Sequence, residues 1–94
     1  MKRIPKSFPL MGHTITVQIL GKRDWPHPNA VGWCDPNSNL ILLLRQPQRS
    51  QMLHAFYHET THMVLAAMGS KLYSNESFVD AFGGLLAQIM EGAE

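Results

Sequence analysis

The chain has 94 residues, 45% of them hydrophobic and 16% charged, with a formal net charge of +1. That is material for a single domain, residues 1–94, with one modest core; it excludes a disordered chain and a deep cleft between two lobes. So small a charge gives no field for a nucleic-acid backbone, and the Lys2, Arg3, Lys6 cluster reads as a solvated terminus, so no nucleic-acid partner is expected.

The first nine residues lack the apolar run of a signal peptide, and no stretch approaches the length of a membrane span. Cys34 is the only cysteine, which rules out an internal disulfide framework and agrees with a reducing compartment. The expectation is a cytoplasmic protein without a membrane partner. Cys34 itself reads as a core residue of a strand, with a metal ligand or inhibitory thiolate as the alternative.

The first regular element is expected at His13–Ile19, where Ile15, Val17 and Ile19 alternate with polar residues as in a half-buried strand. Residues 21–30, with two prolines among turn formers, read as a surface excursion. Ala30–Cys34, the turn Asp35–Asn39 and the apolar run Asn39–Arg45 then read as a β-hairpin, its second strand buried on both faces. Gln46 to Ser50 ends this sheet of about three strands, with Ser50 as a cap for the helix that follows. The segment Met52–Met68 contains no Gly or Pro, and Leu53, Phe56, Tyr57, Met63, Val64, Ala67 and Met68 recur at helical spacing. A second helix begins after Ser74 or Asn75, either of which suits the N-cap; Phe78, Phe82, Leu85, Leu86, Ile89 and Met90 mark the face expected to pack inward. The fold class is therefore α+β: a small N-terminal sheet followed by two helices.

The first helix carries His58-Glu59-Thr60-Thr61-His62, which fits HExxH, the zinc-binding and catalytic signature of metallopeptidases. Positions i and i+4 lie on one face, so His58 and His62 can both point at one metal ion while Glu59 projects alongside. Zinc held by three protein ligands keeps a position for a water whose pKa falls to around 7, and a nearby carboxylate can take its proton. On the second helix Glu76 and Asp80 are one turn apart on a common side. If that side faces the first helix, Glu76 is the third metal ligand and Asp80 accepts the free ring N–H of a ligating histidine. Two other arrangements stay open: Asp80 on the metal in place of Glu76, or both acids merely favoured by the dipole at a helix start.

Over about residues 40–90 the chain resembles the gluzincins, whose pattern is HExxH followed on a later helix by Asn-Glu and an Asp four residues beyond that Glu. His58 to His62 and Asn75-Glu76-Ser77-Phe78-Val79-Asp80 match it. The resemblance implies His58, His62 and Glu76 as zinc ligands, Glu59 as general base and Asp80 as orienting carboxylate. The interval from His62 to Glu76 is shorter than in the large thermolysin-like members, and their C-terminal subdomain is absent. The layout looks more like the small phage and bacterial zincin domains, where a short sheet precedes the HExxH helix and a sheet edge holds an extended peptide substrate. A metzincin is excluded, since Leu65 replaces its glycine and no histidine follows His62.

The expected function is zinc-dependent peptide-bond hydrolysis on an open groove, acting on a peptide or protein, with a protein partner able to complete the groove. The competing expectation is a non-catalytic, zinc-stabilised module that binds a protein. His54 extends the histidine stripe by one turn, but a span of about 12 Å over the three turns is too long for one ion, so it reads as a surface or cleft-rim residue. Tyr57 and Tyr73 read as core or boundary aromatics, with oxyanion donation as the alternative. Trp25, Trp33, His13 and His27 have no ligand spacing.

Overall fold

The computed structural model describes residues 4–93. Four strands, β1 (Ser7–Leu10), β2 (His13–Leu20), β3 (Gly32–Asp35) and β4 (Leu40–Leu44), precede two helices, α1 (Arg49–Met68) and α2 (Glu76–Gly92). The sheet order is β1-β2-β4-β3. The α+β class is as expected, with one strand more than the sequence suggested. The extra strand is β1, which pairs antiparallel with β2 through a tight turn at Met11 and Gly12, both at positive φ. Its proline argues against a strand, but β1 is an edge, where Pro9 need not donate to a second neighbour. Lys6 is exposed at its start, while Lys2 and Arg3 lie outside the described residues.

The hairpin expected over residues 30–45 is present as β3 and β4, paired from Gly32↔Leu43 to Asp35↔Leu40. Asp35 closes its turn by accepting the backbone N–H groups of Asn37 (3.1 Å) and Ser38 (3.3 Å), and Asn39 takes the left-handed conformation at φ 52°. Because β4 runs parallel to β2, from Thr16↔Leu40 to Leu20↔Leu44, it lies in the sheet interior and leaves β3 on the edge. Residues 21–30 fold on themselves and against the Trp33 side chain: the Trp25 indole donates to the carbonyls of His27 (2.6 Å) and Ala30 (2.9 Å), and the His27 ring stacks on Trp33 at 3.9 Å.

Ile15, Val17, Ile41 and Leu43 form one face of the sheet and pack against Met52, Ala55, Phe56 and Met63 of α1, with the rings of Phe8 and Phe56 edge to face. The double-sided burial expected of β4 is not found. Ile41 and Leu43 are fully buried while Leu40, Leu42 and Leu44 are half-buried, because α1 covers only the Ile41 and Leu43 side.

Two further expectations need correction. Ser50 does not cap α1: the helix starts at Arg49 with Gln48 as N-cap, whose backbone N–H is accepted by the Gln51 side chain at 3.3 Å. Its other end stops at Gly69, at φ 67°, whose N–H returns to the carbonyl of Ala66 while that of Ser70 returns to Leu65, an ending that favours glycine. Nor does α2 bury its large apolar face. Val79, Gly83 and Ala87 point inward; of the expected face Phe78, Leu86 and Met90 are half-buried, and Phe82, Leu85 and Ile89 are exposed. The two helices approach too closely to hold bulky side chains between them; a Cβ on Gly83 would lie 2.9 Å from the Cα of His58. The Asn75 side chain caps α2 by accepting the Phe78 N–H at 3.0 Å, as expected. Among the described residues, no helix is long and apolar enough to cross a membrane.

Candidate metal centre

The close crossing brings the acidic start of α2 over the histidine face of α1. Glu76, the first residue of α2, spans both rings: its Oε1 is 3.2 Å from His58 Nε2 and its Oε2 is 3.1 Å from His62 Nε2. An ion with bonds of about 2.0–2.1 Å in tetrahedral array places neighbouring donors about 3.3–3.4 Å apart. The donors of His58, His62 and Glu76, all within 4.8 Å of one another, therefore already stand near the spacing a divalent ion needs.

The remaining ring nitrogens have partners that fix the side chains. His62 Nδ1 donates to the backbone carbonyl of Tyr73 at 2.7 Å, and His58 Nδ1 faces Asp80 Oδ1 at 3.4 Å. With protons on Nδ1, both Nε2 atoms are free to bind a metal. The expected positions of Glu76 and Asp80 on the side facing α1 are thus realised, with Glu76 between the two Nε2 atoms and Asp80 beside His58 Nδ1. The Tyr73 carbonyl was not foreseen; a backbone group carries no sequence signal.

Glu59 is only 8% exposed, and its Oε2 lies 4.0 Å from His58 Nε2. Burial, and then the nearby Glu76 carboxylate, push its pKa up to about 7. It lies directly beneath the edge strand: a Cβ on Gly32 would be 2.7 Å from Glu59 Oε2, so only glycine there leaves the carboxylate its place.

Glu59 lines two adjoining recesses. One, of about 410 Å³, is walled by Trp33, Cys34, His62, Tyr73 and Glu76. The other, of about 550 Å³, is walled by Val31, His54, His58 and Asp80. Together they form an open groove that passes under residues 30–34. Tyr57 is not on it but packs against Phe56 beside the core. Tyr73 is on it, and burial, with Cys34, Asp35, Glu59 and Glu76 nearby, raises its hydroxyl pKa. Cys34, half-buried against the core, is pushed up to about 12 by burial, then by Glu59 and Asp35, and so stays a neutral thiol at neutral pH. His54 is exposed at the rim of the second recess, in keeping with its reading as a surface or cleft-rim residue, and its Nε2 is 3.3 Å from Asp80 Oδ1.

No family model, curated protein or solved structure matches the chain.

Proposed function

We propose that the chain is a cytoplasmic zinc metallopeptidase of gluzincin type. One observation carries this reading: a buried carboxylate, Glu59, stands beside two imidazoles and a Glu76 carboxylate whose donor atoms lie within 4.8 Å of one another, within reach of one ion. A purely structural metal site has no use for such a carboxylate, whose burial costs stability. Two imidazoles and a carboxylate suit zinc among the divalent ions. When bound, zinc would polarise a carbonyl and acidify a water.

The chain's own residues would do the rest. Glu59, its pKa raised to about 7, takes a proton from water at neutral pH and returns it to the leaving amine. Asp80 holds His58 in the tautomer that presents Nε2, and the Tyr73 carbonyl does the same for His62.

The substrate is a peptide or protein segment lying extended along β3. The N–H of Leu44 bonds to the carbonyl of Val31 at 2.9 Å, so by the alternation of an antiparallel ladder the backbone groups of Gly32 and Cys34 point away from β4. A peptide added to that edge gains main-chain hydrogen bonds directly above Glu59.

The test compares zinc content and hydrolysis of a peptide library by the wild type and Glu59→Gln. Cleavage by the wild type, lost in the variant with zinc retained, supports the peptidase. Zinc in both without cleavage by either makes the zinc-stabilised protein-binding module the better reading.

A further inference from the structure

His54 stands one turn before His58 on α1, and the two histidines share one carboxylate oxygen. Asp80 Oδ1 is 3.3 Å from His54 Nε2 and 3.4 Å from His58 Nδ1. Those two separations are close to the edge of a tetrahedron around an ion with bonds of about 2.0–2.1 Å. The three donor atoms all lie within 4.8 Å of one another. A second feature points to a built arrangement. The His54 ring packs against α2 at Gly84, where an added Cβ would meet its Cε1 at 3.0 Å. Glycine at that position leaves room for the imidazole beside Asp80. The recess of about 550 Å³ walled by His54, His58, Glu59 and Asp80 gives an ion and its waters access from solvent.

We infer that His54 Nε2, His58 Nδ1 and Asp80 Oδ1 form a second divalent-cation site, adjoining the first and joined to it through the His58 ring. The inference rests on the proposed peptidase reading only in that His58 also serves the inner site through Nε2. With both sites filled, His58 would offer Nε2 to the inner ion and Nδ1 to the outer one, the Nδ1 proton passing to solvent, and water would complete the outer coordination. The side chains of His54 and Asp80 are 49% and 66% exposed, so the outer ion keeps water ligands and binds more weakly than the inner one. Filling the outer site also turns Asp80 from the orienting partner of His58 Nδ1 into a ligand of the outer ion.

Zn²⁺ titration of the metal-free full chain, followed by calorimetry and by metal analysis after equilibrium dialysis, tests this with His54→Ala, His54→Gln and His62→Ala, each checked for folding by circular dichroism. The expected result is two equivalents in the wild type. The weaker is lost in both His54 variants, and the tighter is lost in His62→Ala. One equivalent in the wild type, kept in the His54 variants and lost in His62→Ala, overturns the second site and leaves the peptidase reading intact. One equivalent lost in the His54 variants but kept in His62→Ala supports the outer site and overturns the His58, His62, Glu76 centre. No binding overturns both.

Discussion

Gly83 of α2 meets His58 of α1 backbone to backbone: a Cβ at position 83 would lie 2.9 Å from the His58 Cα and 3.0 Å from its N. This contact sets the distance across which Glu76 and Asp80 reach the histidines. Gly83→Ala gains helix propensity of up to about 1 kcal/mol, but the opposing atoms are main chain and cannot step aside. Overpacking of this kind costs about 1–3 kcal/mol, so even after the full propensity gain the variant should unfold at lower urea, with a net loss of up to about 2 kcal/mol. Its zinc affinity should fall in parallel, because the carboxylates are carried outward with α2. Unchanged affinity would show that the helix spacing does not set the metal geometry.

Gly32 has the opposite character. The atoms an added methyl would strike belong to the Glu59 carboxylate, with Oε2 at 2.7 Å, and a side chain can rotate away. Gly32→Ala should therefore keep nearly the wild-type unfolding midpoint and zinc content while losing turnover. A loss of about 10²-fold in kcat is expected, the lower end of what a general base contributes. If kcat holds, Glu59 is not the base.

How much of this was open to reading from the sequence follows from which groups carry the information. The i, i+4 histidines and the capped start of α2 are local patterns, so the centre was legible from His58, His62, Glu76 and Asp80. The face of α2 was misread because hydrophobic periodicity assumes that the largest side chains go inside. Here the tightness of the helix crossing selects Gly83 and Ala87 instead and leaves Phe82, Leu85 and Ile89 outside. β1 was hidden by Pro9, and its turn at Met11-Gly12 lacks the Asn-Gly or Asp-Gly signal of a tight hairpin. The span from His54 to His62 is too long for one ion, which keeps His54 out of the first centre in any reading of the sequence; its partner, Asp80, is a tertiary fact.

The raised pKa of Glu59 makes the metal-free protein sensitive to pH. A carboxylate at about 7 in the folded state, against an ordinary value of 4.5, binds its proton more tightly when folded. Its contribution is therefore favourable below pH 4.5, is lost progressively as pH rises from there to about 7, and stays lost above. The difference corresponds to roughly 3 kcal/mol. Glu59→Gln removes the titration, so in the presence of chelator the variant should exceed the wild type in stability at pH 8, with the gap closing toward pH 4.5. Urea unfolding of both proteins across that range measures it, and a gap that does not vary with pH would mean that Glu59 is not desolvated.

The choice between Glu76 and Asp80 as the third ligand is settled by how much affinity each removes. Glu76 bridges the two Nε2 atoms at 3.2 and 3.1 Å, whereas Asp80 approaches His58 only at Nδ1, on the opposite side of the ring. An orienting carboxylate typically accounts for 10- to 100-fold in metal affinity, because the ligands remain and only their preorganisation is lost. Asp80→Asn should accordingly weaken tight zinc binding by about that factor and keep the stoichiometry of the inner site. Glu76→Gln should go further, reducing the centre to its two histidines and abolishing tight binding. Competition with a chromophoric chelator reads both affinities on one scale. The reverse order, with Asp80→Asn the more damaging, would move the ligand role to Asp80 and leave Glu76 as a carboxylate at the mouth of the groove.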